Sequence, residues 1–114
     1  MSQDDMHRMA FKEEAAELLG ELEDSLLALE DQPEDQDLIN RVFRAMHTIK
    51  GSGAMFGFDD IAAFTHEVET VFDKVRNGLF AVTKPLLDLT LAARDHIKSL
   101  LDVSDAPDVD DEVI

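Results

Sequence analysis

Ala45-Met46-His47-Thr48-Ile49-Lys50-Gly51-Ser52-Gly53-Ala54-Met55-Phe56-Gly57-Phe58 is the stretch on which the reading of the fold turns. Val42 just before it, then Met46, Ile49, Gly53 and Phe56, recur at steps of three and four, the spacing that lines one face of an α-helix with core-facing residues. His47, Lys50, Gly51 and Ala54 follow the same steps on the neighbouring face, setting an imidazole and an ammonium beside nearly bare backbone. The spacing predicts a helix from about Asp37 to Met55, ended by Gly57. Upstream, Gln32-Pro33-Glu34-Asp35 breaks the chain, because proline cannot continue a helix. An acid at position 35 or 37 is expected to cap the helix that follows.

The same periodicity extends in both directions. Phe11, Ala15, Leu18, Leu19, Leu22, Leu26 and Leu29 predict a first helix from His7 to about Asp31, preceded by a frayed start over Met1 to about Met6. Its other face carries Glu13, Glu14, Glu17, Glu21, Glu23 and Asp24. Downstream, Asp59 is expected to cap a third helix with Ile61, Phe64, Val68, Val71, Phe72 and Val75 facing the core, stopping at Asn77-Gly78. Thr83 should cap a fourth, with Pro85 in its first turn and Leu86, Leu87, Leu89, Leu91, Ala93, Ile97, Leu100 and Leu101 filling it to about Asp102. Residues 103–114, with Asp105, Asp108, Asp110, Asp111 and Glu112, are expected to be a flexible acidic tail or the start of a linker. Four helices of this length joined by short links predict an all-α, antiparallel up-down-up-down four-helix bundle over residues 1–102.

Composition narrows the function. A chain of 114 residues with 45% apolar residues closes one modest core. Cysteine is absent, which excludes disulfides and thiolate metal sites. No apolar run approaches the roughly 18 residues that span a bilayer, and no signal-peptide pattern opens the chain, so a cytoplasmic location is expected. A formal charge of −16 argues against nucleic acid and anionic membranes as partners. That charge is unevenly laid out, because Leu38 to Phe58 holds no acid while Arg41, Arg44 and Lys50 supply positives. His47 therefore lies in a locally basic patch, suited to an acidic partner or a phosphate group.

Of the four histidines, His7 near the terminus and His96 beside Asp95 have no chemical company in sequence. His66 has Glu69 three residues on, which reads either as a surface pair or as a group facing His47 across the helix interface. In the second arrangement Glu69 accepts the Nδ1–H of His47, leaves Nε2 unprotonated and outward, and makes the ring a better nucleophile. Glycine inside a helix costs roughly 1 kcal/mol against alanine. Gly53, on the core face, is accounted for by close packing. Gly51, one turn beyond His47 on the outer face, makes sense if something must approach the imidazole closely. Metal sites fail on spacing: no histidine follows a glutamate by three, and His66-Glu67 is followed by Thr70 where a zinc helix needs its second histidine. Ser25 and Ser52 lack the context of a nucleophile elbow.

His47-Thr48-Ile49-Lys50-Gly51-Ser52, followed by Met55-Phe56-Gly57-Phe58, resembles the signature of histidine phosphotransfer (Hpt) domains. Thr65-His66-Glu67-Val68-Glu69 followed by Arg76-Asn77-Gly78 is similar, more narrowly, to the N-terminal phosphotransfer domains of CheA-type chemotaxis histidine kinases, and the likeness covers about residues 8–101. The resemblance implies that His47 is the phosphoacceptor on Nε2, that Lys50 assists at the phosphoryl group, that Gly51 clears space, and that His66 and Glu69 complete a hydrogen-bonded cluster. It implies a phosphoryl group supplied from ATP by a separate kinase catalytic domain and passed to an aspartate of a CheY- or CheB-type response regulator. No cofactor is then expected on this domain, ATP and Mg²⁺ belonging to its partners. Arg44 and Ala54 fall on the expected docking patch. The family more often reads Ala-Gly where this chain has Gly53-Ala54, a difference that bears on partner fit rather than chemistry. A stand-alone Hpt relay protein and a non-catalytic adaptor bundle are the alternative readings.

Overall fold

A computed structural model describes residues 2–105, which form α1 (Gln3–Asp31), α2 (Gln36–Met55), α3 (Asp59–Arg76) and α4 (Lys84–Asp105). Consecutive helices pack side by side, α1 also meets α4, and the two diagonal pairs stay apart, as an up-down-up-down bundle requires. Phe11, Ala15, Leu19, Leu22, Leu26 and Leu29 of α1 and Ile39, Val42, Met46 and Ile49 of α2 are buried, matching the apolar stripes in the sequence. Burying each large aliphatic or aromatic side chain contributes about 1.5–3 kcal/mol, so the four stripes together hold the bundle closed.

Local chemistry sets the helix ends. The Asp35 carboxylate accepts the Asp37 and Leu38 N–H groups at 2.9 and 3.2 Å, which settles the cap of α2 on position 35. Thr83 Oγ1 accepts the Leu86 N–H at 3.3 Å at the start of α4. Gly57 and Gly78 adopt φ of 84° and 79°, the left-handed conformation that lets the chain leave α2 and α3.

Four expectations are corrected. The first helix starts at Gln3 rather than His7, because Ser2 Oγ accepts the Asp5 N–H at 3.1 Å, Asp4 and Asp5 suit the positive end of the helix dipole, and the next turn is held from outside. Arg8 donates to the Phe56 carbonyl at 3.3 Å and lies 4.2 Å over the Phe58 ring. Phe58, not Asp59, is the N-cap of α3, and no side chain caps it. Phe58 is fixed there because its ring is buried and its N–H donates to Gly53 O at 2.7 Å. On α3 the buried stripe is Ile61, Thr65, Glu69, Phe72 and Val75, so it runs through two polar residues. Phe64, Val68 and Val71 are only half-buried and turn towards α4. The last helix continues to Asp105, past the expected end at Asp102, and Leu89 is exposed, since leucines at 86, 87, 89 and 91 cannot share one helical face. The remainder of the expected acidic tail, residues 106–114, lies outside the described residues. No helix among the described residues is long and apolar enough to cross a membrane.

Candidate phosphoacceptor site

The site straddles α2 and α3. On α2 the core stripe fixes Met46 and Ile49 inward, which turns His47 to the flank, where its side chain is 63% exposed. On α3 the buried stripe carries Glu69 inward, leaving its side chain only 8% exposed. A carboxylate at such a position needs partners for its charge. It has them from α2: His47 Nδ1 lies 2.5 Å from Oε2, and Lys50 Nζ donates to Oε1 at 2.7 Å. Burial alone would push the Glu69 carboxyl up, but the hydrogen bonds from Lys50 and His47, with the charges of both, outweigh it and hold the group below its ordinary value.

An ionised carboxylate can only accept, so the short contact places the ring hydrogen on Nδ1. In the neutral ring the lone pair is then on Nε2. The predicted tautomer thus follows from the partner that the second helix provides.

Lys50 is tied to Glu69 rather than free beside the ring, and 27% of its side chain is exposed. His66, 60% exposed, comes no closer to Glu69 Oε1 than 3.5 Å. That separation is an ion-pair contact and not a hydrogen bond, so the expected cluster has its hydrogen bonds at His47 and Lys50 and keeps His66 at its edge. A Cβ on Gly51 would meet nothing within 4 Å, which leaves the face one turn beyond His47 open. Ala54 and Arg44 are exposed on the same helix. Arg44 and Arg41 line a groove with Glu21, Asp24 and Ser25 of α1.

Two contributors have no role in the motif-based reading, Phe43 lying outside the motifs and Arg76 within one of them. Phe43, one turn before His47, lies nearly parallel to the imidazole, with ring centroids 6.0 Å apart and planes 13° from each other. The Arg76 guanidinium sits 4.0 Å over the Phe43 ring and is itself paired with Asp73 at 2.7 Å. The i, i+4 spacing of Phe43 and His47 was the available signal. The other histidines stand apart, His7 against Phe56 at 5.7 Å and His96 edge-on to Phe64 at 4.6 Å. Among the described residues, no three of His, Cys, Asp and Glu gather in metal-ligand geometry.

Residues 8–106 match the Hpt domain family. The chain belongs to that family. Within it, the likeness is to CheA. The chain is 44% identical over 91 residues to the chemotaxis protein CheA of Borreliella burgdorferi, covering 80% of this chain and 10% of that protein. It is 41% identical over 91 residues to CheA of Bacillus subtilis, covering 80% of this chain and 14% of that protein. The chain therefore spans a small fraction of the curated relatives it matches. In structure it is similar to the CheA phosphotransferase domain from Thermotoga maritima, with a TM-score of 0.85 and 39% identity over 93% of this chain and 100% of that one. It is also similar to the phosphorylated P1 domain of CheA3 from R. sphaeroides, solved in complex with CheY6 (TM-score 0.81, 25% identity, 88% of this chain and 78% of that one). The family and the four-helix architecture agree with the Hpt resemblance read from the motifs around His47 and Glu69.

Proposed function

We propose that this Hpt domain is the phosphotransfer module of a chemotaxis histidine kinase and that His47 Nε2 carries the phosphoryl group. The observation that carries the proposal is the pairing of a 2.5 Å Nδ1 contact to a buried carboxylate with a ring that is otherwise 63% exposed. One nitrogen is committed inward and the other is available outward.

The chemistry asks little of the domain itself. The Nε2 lone pair bonds the γ-phosphorus of ATP held by a separate catalytic domain, the bond from phosphorus to the bridging oxygen breaks, and ADP leaves. The ring gains positive charge as the N–P bond forms, and the Glu69 carboxylate already on Nδ1 stabilises that charge, as an orienting carboxylate does behind other reactive imidazoles. In the second transfer an aspartate oxygen of a receiver domain bonds phosphorus, the N–P bond breaks, and the electron pair returns to Nε2. The partners supply Mg²⁺ for both steps. The CheA3–CheY6 complex of the similar R. sphaeroides domain supports a receiver of the CheY class as the acceptor. Lys50 shares the Glu69 charge in the resting state and, one turn on from His47, is a cation that can turn to an arriving phosphoryl group.

Incubation with a CheA catalytic domain and radiolabelled ATP tests the proposal. Acid-labile, alkali-stable label is expected on the wild type and none on His47→Gln. Label that survives His47→Gln would overturn it.

A further inference from the structure

The geometry points to Phe43 as a positioning residue for the His47 ring, locked in its own place by Arg76. This inference rests on His47 being the phosphoacceptor. The Glu69 hydrogen bond fixes the imidazole at one atom, and Cβ fixes it at another. A ring held at two points keeps freedom to rock about the line between them, and that rocking swings Nε2, the atom that must line up with the phosphorus and its leaving group. Misalignment at the reacting atom is costly, because reaction needs a near-attack geometry.

Phe43 removes that freedom. One turn before His47 on α2, it presents a flat face within 13° of the imidazole plane at a 6.0 Å centroid separation, within the range where aromatic pairs attract. His47 is largely exposed, so no core packing does this instead. Phe43 is only half-buried and needs a restraint of its own. Arg76 at the end of α3 provides it, with its guanidinium 4.0 Å from the ring centroid and its own orientation set by Asp73. The imidazole is thereby gripped from α3 twice: directly at Nδ1 by Glu69, and through Phe43 by Arg76.

Phosphoramidate tests this without any partner protein. The Nε2 lone pair bonds its phosphorus, and ammonia leaves with the electron pair of the broken P–N bond. Phe43→Leu keeps an apolar side chain but no flat face. It is expected to label His47 roughly threefold to tenfold more slowly than the wild type. The same variant should show a lower order parameter for the His47 ring in NMR relaxation while the Nδ1–H signal persists, and Phe43→Tyr should restore both. Arg76→Met, an exposed change that leaves the core alone, should shift rate and ring order the same way but less, and should add nothing in the Phe43→Leu background. Wild-type rate and ring order in folded Phe43→Leu, or in Arg76→Met should Phe43→Leu not fold, would overturn the inference. If the wild type takes no label at His47, the proposed function fails instead, and the ring-order comparison still decides whether Phe43 positions the ring.

Discussion

Glu69 holds two requirements in opposition: it occupies a core position of α3, and the role proposed for it needs it charged. Replacing it with alanine leaves Lys50 and His47 without their acceptor while deleting a side chain that α3 packs inward. Glu69→Ala is expected to slow phosphorylation of His47 on the order of 10- to 100-fold with helical content retained, as measured by label from ATP and circular dichroism. An unchanged rate in the folded variant would mean that the carboxylate does not activate the ring. The lowered carboxyl also makes a stability prediction. The ionised form favours the folded state, so its contribution is complete above about pH 5 and fades as pH falls below the ordinary 4.5 through the lowered value. The stability difference between wild type and Glu69→Gln in urea should therefore be larger at about pH 7 than at about pH 3.5. Thr65, one turn earlier on the same stripe, is the converse case: its hydroxyl is buried with no partner. Thr65→Val preserves the shape and removes the orphan group, and it should raise stability by about 1 kcal/mol. A loss of stability would mean that the hydroxyl has a partner in solution.

Helix α2 carries two glycines, Gly51 and Gly53, and the close packing expected to account for Gly53 does not require it. A Cβ on Gly53 would stand 3.5 Å from Phe11 and 3.6 Å from the Phe58 carbonyl, ordinary contacts that an alanine tolerates. A Cβ on Gly51 would stand in open space. Each substitution by alanine should then stabilise the helix by about 0.5–1 kcal/mol. Only Gly51→Ala is expected to slow transfer, on the order of tenfold, because its methyl stands where a partner must approach Nε2. Equal transfer rates for the two variants would show that Gly51 is not there for clearance. What the sequence disclosed about these elements follows from the same logic. Apolar stripes on α1 and α2 are legible because they are nearly continuous, Gly51 because it is odd for its position, His47 and Lys50 because they share a face in an acid-free stretch, and Glu69 because it follows His66 by three. The stripe of α3 is legible in part: Ile61, Phe72 and Val75 are buried and Phe64 and Val68 pack against the core, but hydropathy alone does not place polar Thr65 and Glu69 at its centre. The start of α1 is only partly legible, because the Ser2 cap with Asp4 and Asp5 is a local signal whereas Arg8 on Phe56 and Phe58 is tertiary. Phe43 was passed over because an aromatic residue at helical spacing reads as core until the neighbouring ring planes are known.

At the scale of the whole molecule, the charge of −16 should repel the acidic pocket that a receiver aspartate occupies. Docking then depends on where the few cations are placed. Residues 38–58 hold no acid, so α2 presents His47 from the longest acid-free stretch in the sequence. Lys50 is occupied by Glu69, whereas among the described residues neither Arg41 nor Arg44 is in an ion pair. Both stand exposed on α2 within a turn or two of His47, although Glu21 and Asp24 share their groove and temper their field. Charges at the rim of an interface act mainly on the encounter rate and respond to salt. Arg44→Glu is accordingly expected to leave labelling by phosphoramidate, a partner-free measure of the His47 ring, within about twofold of the wild type, because the hydrogen bonds that orient the ring join His47 and Lys50 to Glu69 and do not come from Arg44. Discharge of phosphorylated His47 to a CheY-class receiver should instead fall roughly threefold to tenfold at low ionic strength. The deficit should close near about 1 M salt, where the screening length is about 3 Å. A deficit that persists at high salt would make Arg44 a direct contact, and full-rate discharge at low salt would place the docking surface elsewhere on the bundle.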